Sequence, residues 1–529
     1  MDSALLEQIE KLNEEQKQAV CSELKNLLIV AGAGTGKTTV LVSRIAYLVE
    51  HFNIAPFSIL SVTFTNKAAK EMKSRLEVIL GKNRIRYMWC CTFHSACLKI
   101  LRNFAKYANL EPNFVVIDNA DQLRIIKRVL EELGISATDK DNSPKNYLNI
   151  ISKCKEEGIR PNSYNQQTLA KFDEVYAQYQ STCDKNNQVD FSEILLRTVE
   201  LLENNAEVKD YIQNKFKQIL VDEFQDTNSI QYKFLKLISS PAANVLVVGD
   251  DDQSIYGWRG AVVANMHNFR NDFENVELIQ LRRNYRSTNA ILGAANSLIK
   301  NNTYRIVDKE LITDKTTNNK VTIVQSQDEF KQDEFVVRAI SSYLKNGFNG
   351  QDIAVLYRTN NQSRLLESKL RNKGISYSVY GGLRFYDRKE IKDLIAYLFL
   401  IHDHNNNLAF ERIVNVPARK IGNATLEKIR VISTETGLSY YDSLEQLLSH
   451  SKSKPLSNFY NLIEDLKKKL TEASNLTEYA QIVAEESGLL NFYEIEDQKE
   501  GNSEKGQSRV EYIKELFASF SGQEIVRND

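Results

Sequence analysis

Residues 31–38 read Ala-Gly-Ala-Gly-Thr-Gly-Lys-Thr, between the apolar run Leu27–Val30 and the helical pattern Val40–Tyr47. Strand, glycine loop and helix in that order is the setting of a phosphate-cradling loop, whose backbone N–H groups face an anion at a helix N-terminus. Gly32, Gly34 and Gly36 let the backbone curl, Lys37 adds a point charge at the β- and γ-phosphates, and the Thr38 hydroxyl can take a place on Mg²⁺. Ala31 stands where the strict pattern has its first glycine, a small-for-small change; Ala33 and Thr35 complete the loop. The pattern implies that a nucleoside triphosphate is bound.

The chain has 529 residues, enough for several domains of ~100–200 residues each. Lys and Arg number 68 against 69 Asp and Glu, so no global field draws in a polyanion, and any nucleic acid must be held in a local groove. The start MDSALLEQIE is acidic without an apolar core and reads as no signal peptide. No apolar stretch approaches the ~18 residues that a membrane span requires. The six cysteines include no Cys-x-x-Cys pair and read as reduced thiols, which fits a cytoplasmic protein.

Short apolar runs at Leu27–Ala31, Ser58–Thr65, Ile219–Asp222 and Val245–Asp250 are those of a parallel sheet covered on both faces. From about Ala96 to Ser192 the pattern turns helical and polar, which predicts a helical insertion in the α/β domain. A second α/β pattern follows, with strands expected at Val321–Gln325, Ile353–Tyr357 and Ser376–Tyr380 and helices near Glu329–Leu344 and Gln362–Asn372. From Asp387 onward the pattern is helical.

Two strand ends carry chemistry. Residues 219–226 read Ile-Leu-Val-Asp-Glu-Phe-Gln-Asp, which puts Asp222 at the carboxyl edge of the sheet, where it can hold Mg²⁺. Glu223 is then placed to orient and deprotonate an attacking water. Residues 247–261 read Val-Val-Gly-Asp-Asp-Asp-Gln-Ser-Ile-Tyr-Gly-Trp-Arg-Gly-Ala. Gln253 can reach a γ-phosphate or the water there, and Tyr256, Trp258 and Arg259 set aromatics and a cation beside glycines, as stacking on a nucleobase needs.

Together these residues resemble the superfamily 1 DNA helicases of the UvrD/Rep/PcrA type. Leu12-Asn13-Glu14-Glu15-Gln16 looks like the family's adenine-reading motif, and Ser61–Ala69 and Cys91–Ser95 resemble DNA-contacting motifs. Val189-Asp190-Phe191, Asn284-Tyr285-Arg286-Ser287, Tyr380–Phe385 and Lys389–Asp393 follow in the family's order. Each is weak alone; in this order, over nearly the whole chain, they are specific.

The resemblance implies an α/β P-loop NTPase with two RecA-like cores and helical insertions. The first core would span 1–95 and 191–280 around an insertion at 96–190, with a second core at 281–384 and a second insertion at 385–529. Two further family motifs, Thr-x-His-x-x-Lys-Gly-Leu-Glu and Tyr-Val-x-x-Thr-Arg-Ala, do not occur between Asp387 and Asp529. The second core and its insertion are therefore expected to be incomplete, with a second chain supplying the missing motifs, or a remnant that binds ATP and DNA without unwinding, as alternatives. The implied activity is ATP- and Mg²⁺-dependent 3′-to-5′ translocation on single-stranded DNA and unwinding at duplex junctions. Gln16 would bond the adenine edge, Tyr285 stack on its face, and Arg286 reach the γ-phosphate as an arginine finger. Thr39 stands where many relatives carry an arginine against the other adenine face, so stacking on the base is expected on one side only. Phe64, Asn66, His94, Tyr256, Trp258, Arg259 and Arg358 would line the DNA path.

Overall fold

Strand β1 (Asn26–Ala31) is buried at every position, and its side chains alternate between two separate cores. Leu28 and Val30 face one layer; Leu27, Ile29 and Ala31 face the other. That period of two, with both faces apolar, is what a strand needs at the centre of a parallel sheet. In the computed structural model, β1 joins β2 (Ile59–Thr63), β3 (Trp89–Thr92), β6 (Gln218–Val221), β7 (Asn244–Gly249) and β8 (Val276–Leu281) in the order β3-β2-β6-β7-β1-β8, with every pairing parallel. Leu28 sits opposite Val247 on one side and Leu278 on the other. Helices Lys37–Glu50 and Asn66–Leu80 cover one face, and helices Phe93–Asn103, Phe191–Asn204 and Ser229–Ile238 the other.

The structure describes residues 3–23, 25–136, 142–161, 163, 169–257, 260–302, 305–359, 362–380, 388–451, 453–500 and 508–520. They fall into two units, Met1–Thr322 and Ile323–Asp529. Among the described residues no helix is long and apolar enough to cross a membrane. The six cysteines are free thiols, and burial pushes Cys90 and Cys183 up to about 12.

Between β3 and β6 the regular elements among the described residues are helices apart from one short parallel pair, β4 (Val115–Ile117) with β5 (Gln188–Asp190). This region is organised around buried charge. The Lys155 side chain is wholly buried, with Nζ 2.5 Å from Asp190 and 2.9 Å from Glu193. Arg160 grips Glu193 with two 2.9 Å bonds, and Tyr179 donates its hydroxyl to Asp190 at 2.9 Å. Asp190 also caps helix Phe191–Asn204 by accepting the Glu193 N–H.

The regular elements among the second unit's described residues are all helices. Helices Glu329–Lys345 and Ser363–Asn372 meet through Val337, Ile340, Leu366 and Leu370. Helices from Lys389–His402 to Arg509–Ser519 enclose a separate core that includes Tyr397, Phe410, Phe459 and Tyr493. The expected strands at Val321–Gln325, Ile353–Tyr357 and Ser376–Tyr380 are a correction: none enters a ladder among the described residues. Ile323 and Leu356 are 93% and 96% exposed, and a parallel strand with neither a neighbour nor a covered face has nothing to hold it. In the first unit the sheet gained β3 and β8, which the apolar runs did not predict.

Replacing Lys155 by Met leaves Asp190 buried without its cation and Glu193 with Arg160 and Arg197 alone. Denaturant unfolding of Lys155→Met should show a loss of roughly 3–5 kcal/mol in the first unit. A variant as stable as the parent would mean that Arg160 and Arg197 alone neutralise the cluster.

Candidate functional site

The loop after β1 turns through two left-handed glycines, Gly34 (φ 69°) and Gly36 (φ 88°), the second of which caps helix Lys37–Glu50. A Cβ at Gly34 would lie 2.7 Å from Asn284 Nδ2 and 2.8 Å from Arg286 Cβ; one at Gly36 would lie 2.7 Å from Gln16 Nε2. Four consecutive loop carbonyls take donors: Gly32 from Thr35 Oγ1 (2.8 Å), Ala33 from Asn284 Nδ2 (2.6 Å), Gly34 from the Tyr285 N–H (2.9 Å), and Thr35 from Gln16 Nε2 (2.9 Å). A loop whose carbonyls are satisfied in this way can spend its N–H groups on an anion. Thr38 and Thr39 follow in the first helical turn, both half-buried.

Lys37 Nζ lies 2.9 Å from Glu223 Oε2, across the sheet from the end of β6. Glu223 adopts a left-handed backbone (φ 50°), rare outside glycine, which turns its side chain out of the strand path. Asp222 Oδ1 holds that turn by accepting the Glu223 N–H at 3.0 Å. Burial acts to raise the Glu223 pKa, but the Lys37 charge and hydrogen bonds from Gln225 and Lys37 outweigh it and leave the group below its ordinary value. Asp222 goes the other way: burial, then the neighbouring Glu223 charge, push it up to about 6. Asp226 is raised to about 6 by the same two causes, and its buried Oδ1 has no hydrogen-bond partner. Desolvated carboxylates, one with an orphaned oxygen, beside a single lysine fit a hard divalent cation such as Mg²⁺.

Gln225 ties the site to β7. Its Nε2 donates to Glu223 Oε2 at 2.9 Å, and its Oε1 accepts the Asp250 N–H at 2.9 Å. Gln253 in turn donates to Asp250 Oδ2. Asp250, Asp251 and Asp252 come close enough together to suggest a metal cluster, but Lys309 and Arg305 already occupy them.

The structure thus brings Gln16, the glycine loop, Lys37, Asp222, Glu223, Tyr285 and Arg286 together. Gln16 is engaged inside the protein: its Oε1 accepts the Asn13 N–H while its Nε2 holds Thr35. Tyr285 is 44% exposed, and its hydroxyl accepts from Asn13 Nδ2 at 2.8 Å. Arg286 is exposed beside Gly34. Phe64, just past β2, stacks on Tyr256 with ring centroids 5.2 Å apart at 24°. His94 stacks on Phe191 at 4.0 Å, and burial lowers its pKa to about 4, so the imidazole is neutral near pH 7. Asn66 is exposed in the first turn of its helix. Trp258 and Arg259 lie outside the described residues. Arg358 belongs to the second unit, exposed, with its N–H on Gln362 Oε1. Gln225, Asp226, Asn284 and Lys309 were not singled out from sequence; the polar residues crowding two strand ends were the available signal.

Comparison with known proteins agrees with this geometry. The family model for the UvrD/REP helicase N-terminal domain matches residues 12–274, and that for the UvrD-like helicase C-terminal domain matches 279–528. DNA helicase II of Escherichia coli (strain K12) is 41% identical over 97% of this chain and 71% of its own length. ATP-dependent DNA helicase PcrA of Staphylococcus aureus (strain Mu50) is 40% identical over 96% of this chain and 69% of its own. The C-terminal match runs from 279 to 528 and gives no support to the expected incompleteness of the second core, nor to a second chain. With both domain models matched in order, the chain belongs to the UvrD/Rep helicase family.

Proposed function

We propose that this chain is an ATP-dependent DNA helicase that tracks single-stranded DNA 3′ to 5′ and opens duplex junctions, in DNA repair or replication in the cytoplasm. The observation that carries the reading is the 2.9 Å pair between Lys37 and Glu223, a phosphate-loop lysine held on the carboxylate that would act as base. The RecA-like cores would divide as the family motifs suggest, at 1–95 and 191–280 and at 281–384.

ATP entering the loop would draw Lys37 toward its β- and γ-phosphates. Glu223 then loses the charge that depresses its pKa and becomes a better acceptor for the proton of an attacking water. Gln225 keeps the carboxylate aimed, and Gln253, held on Asp250, would meet the γ-phosphate or the water. Bound Mg²⁺, held by Thr38 and Asp222, would neutralise charge on the phosphate oxygens. Arg286, beside Gly34, would add positive charge as the phosphoryl group leaves. Tyr285 and Gln16 Oε1 would exchange their present contacts with Asn13 for the adenine, while Gln16 Nε2 keeps the Thr35 carbonyl. On the DNA side, the Phe64–Tyr256 stack offers a ring surface to a base; Asn66 follows Phe64 and Trp258 and Arg259 follow Tyr256 in sequence, His94 follows the neighbouring strand β3, and Arg358 is proposed as a separate phosphate contact. A neutral His94 would serve as hydrogen-bonding or stacking group, not as a phosphate counter-charge.

Lys37→Ala should abolish or severely weaken nucleotide binding, whereas Glu223→Gln should bind ATP and fail to turn it over; a fluorescent-nucleotide titration and a phosphate-release assay separate the two. A Glu223→Gln chain that hydrolyses ATP like the parent would remove Glu223 from the role of base. Unwinding of a 3′-tailed but not a 5′-tailed duplex tests the direction.

Tyr256→Ala should weaken single-stranded DNA binding by ~1–3 kcal/mol with little change in salt dependence. Arg358→Ala should instead reduce the salt slope by about 1 if it meets a phosphate. Anisotropy titrations across a salt series distinguish these outcomes.

Asp222 also makes stability depend on pH. Its folded pKa is raised, so its contribution is most favourable below the unfolded value near 4 and is lost as pH rises through about 6. Asp222→Asn should therefore unfold at a higher temperature than the parent at pH 8, and the gain should vanish toward pH 4. An equal midpoint at pH 8 would show that the carboxylate is not penalised by burial.

A further inference from the structure

Three consecutive aspartates at the end of β7 are almost entirely withdrawn from water: the side chains of Asp250, Asp251 and Asp252 are 4%, 0% and 9% exposed. Carboxylates so close together repel strongly unless cations stand among them. Arg305 takes the outermost, with Nη2 and Nε 2.9 and 3.0 Å from the two oxygens of Asp252. Lys309, itself 4% exposed, serves all three: Nζ lies 2.5 Å from Asp250 Oδ1, bonds Asp251 Oδ1, and stands 3.2 Å from Asp252 Oδ2. Burial works against its charge, but Asp250 and Asp251 outweigh that and hold its pKa above the ordinary lysine value.

Asp250 is also where the hydrolytic groups are fastened. Its Oδ2 accepts from Gln253, and its N–H donates to Gln225, which holds Glu223, which holds Lys37. Two residues beyond Lys309, Leu311 lies against Gly32, where a Cβ would collide with its methyl group. We propose that Lys309 is a positioning residue for ATP hydrolysis: its ammonium is the counter-charge that keeps the aspartate triplet folded, and so keeps Gln225 and Gln253 aimed at the nucleotide. This rests on the ATP-hydrolysing reading given above.

The test uses the full chain, Lys309→Met and the charge-balanced pair Lys309→Met with Asp251→Asn. Lys309→Met should bind a fluorescent ADP within roughly twofold of the parent, yet turn over ATP on single-stranded DNA roughly ten- to a hundredfold more slowly. Amide hydrogen exchange should quicken at residues 222–226 and 249–256 and stay unchanged in helix Lys37–Glu50. The double variant should regain most of the turnover and the slow exchange. Parental turnover and exchange in Lys309→Met would overturn the proposal. So would a double variant with the parent's melting temperature but the single variant's slow turnover and quick exchange. If Lys309→Met is insoluble, the double variant decides by the same criteria. A parent chain that does not hydrolyse ATP would refute the reading above, and the exchange measurements would still decide this one.

Discussion

A loop that offers its N–H groups to phosphate has to dispose of its carbonyls, and that requirement shapes the whole site. Four successive oxygens, from Gly32 to Thr35, each find a donor, and only one donor, Thr35, comes from the loop itself. The others are brought by Gln16 and by the segment Asn284–Tyr285, some 250 residues away in sequence. Asn284 does double duty, since its Oδ1 also accepts the N–H groups of Arg286 and Ser287. The residue proposed as arginine finger is therefore fixed by the same side chain that braces the phosphate loop.

Charge is handled differently at the two ends of this network. At the nucleotide end the balance is left unfinished: burial raises Asp222 and Asp226, and among the described residues Lys37 is the cation paired with Glu223. That deficit of positive charge is the condition in which a metal–nucleotide complex gains most by entering. Beyond β7, and in the helical region around Lys155, the carboxylates are instead paired with lysines that are themselves almost wholly buried. Such closed clusters add little net stability over apolar packing, but removing one partner leaves a costly uncompensated charge.

The central strands were legible because a fully buried parallel strand leaves an unbroken apolar run: β1, β2, β6 and β7 lie where those runs are. Strand β8 was not, because it lies at the sheet edge and its run Val-Glu-Leu-Ile-Gln-Leu is interrupted by Glu277 and Gln280, one on each face. β3, the other edge, is only four residues long. Apolar runs at Val321–Gln325 and Ile353–Tyr357 carry the same signal as β1 without its neighbours, which shows that composition nominates a strand but pairing makes one. In the site, Lys37, Asp222 and Glu223 could be read locally. Gln225, Asn284 and Lys309 could not, since their importance lies in partners that only the folded chain brings near.

The position of β1 in the sheet sets an order of events for a growing chain. Both of its ladder partners, β7 and β8, are encoded more than two hundred residues after it, and Leu311 closes over Gly32 later still. At roughly 5–20 residues per second, a ribosome takes tens of seconds to deliver them. For that interval the six-residue segment Asn-Leu-Leu-Ile-Val-Ala is apolar on both sides and unpaired on both edges, the combination most prone to wrong association during synthesis. The nucleotide loop is made 251 residues before the Asn284 side chain that braces it.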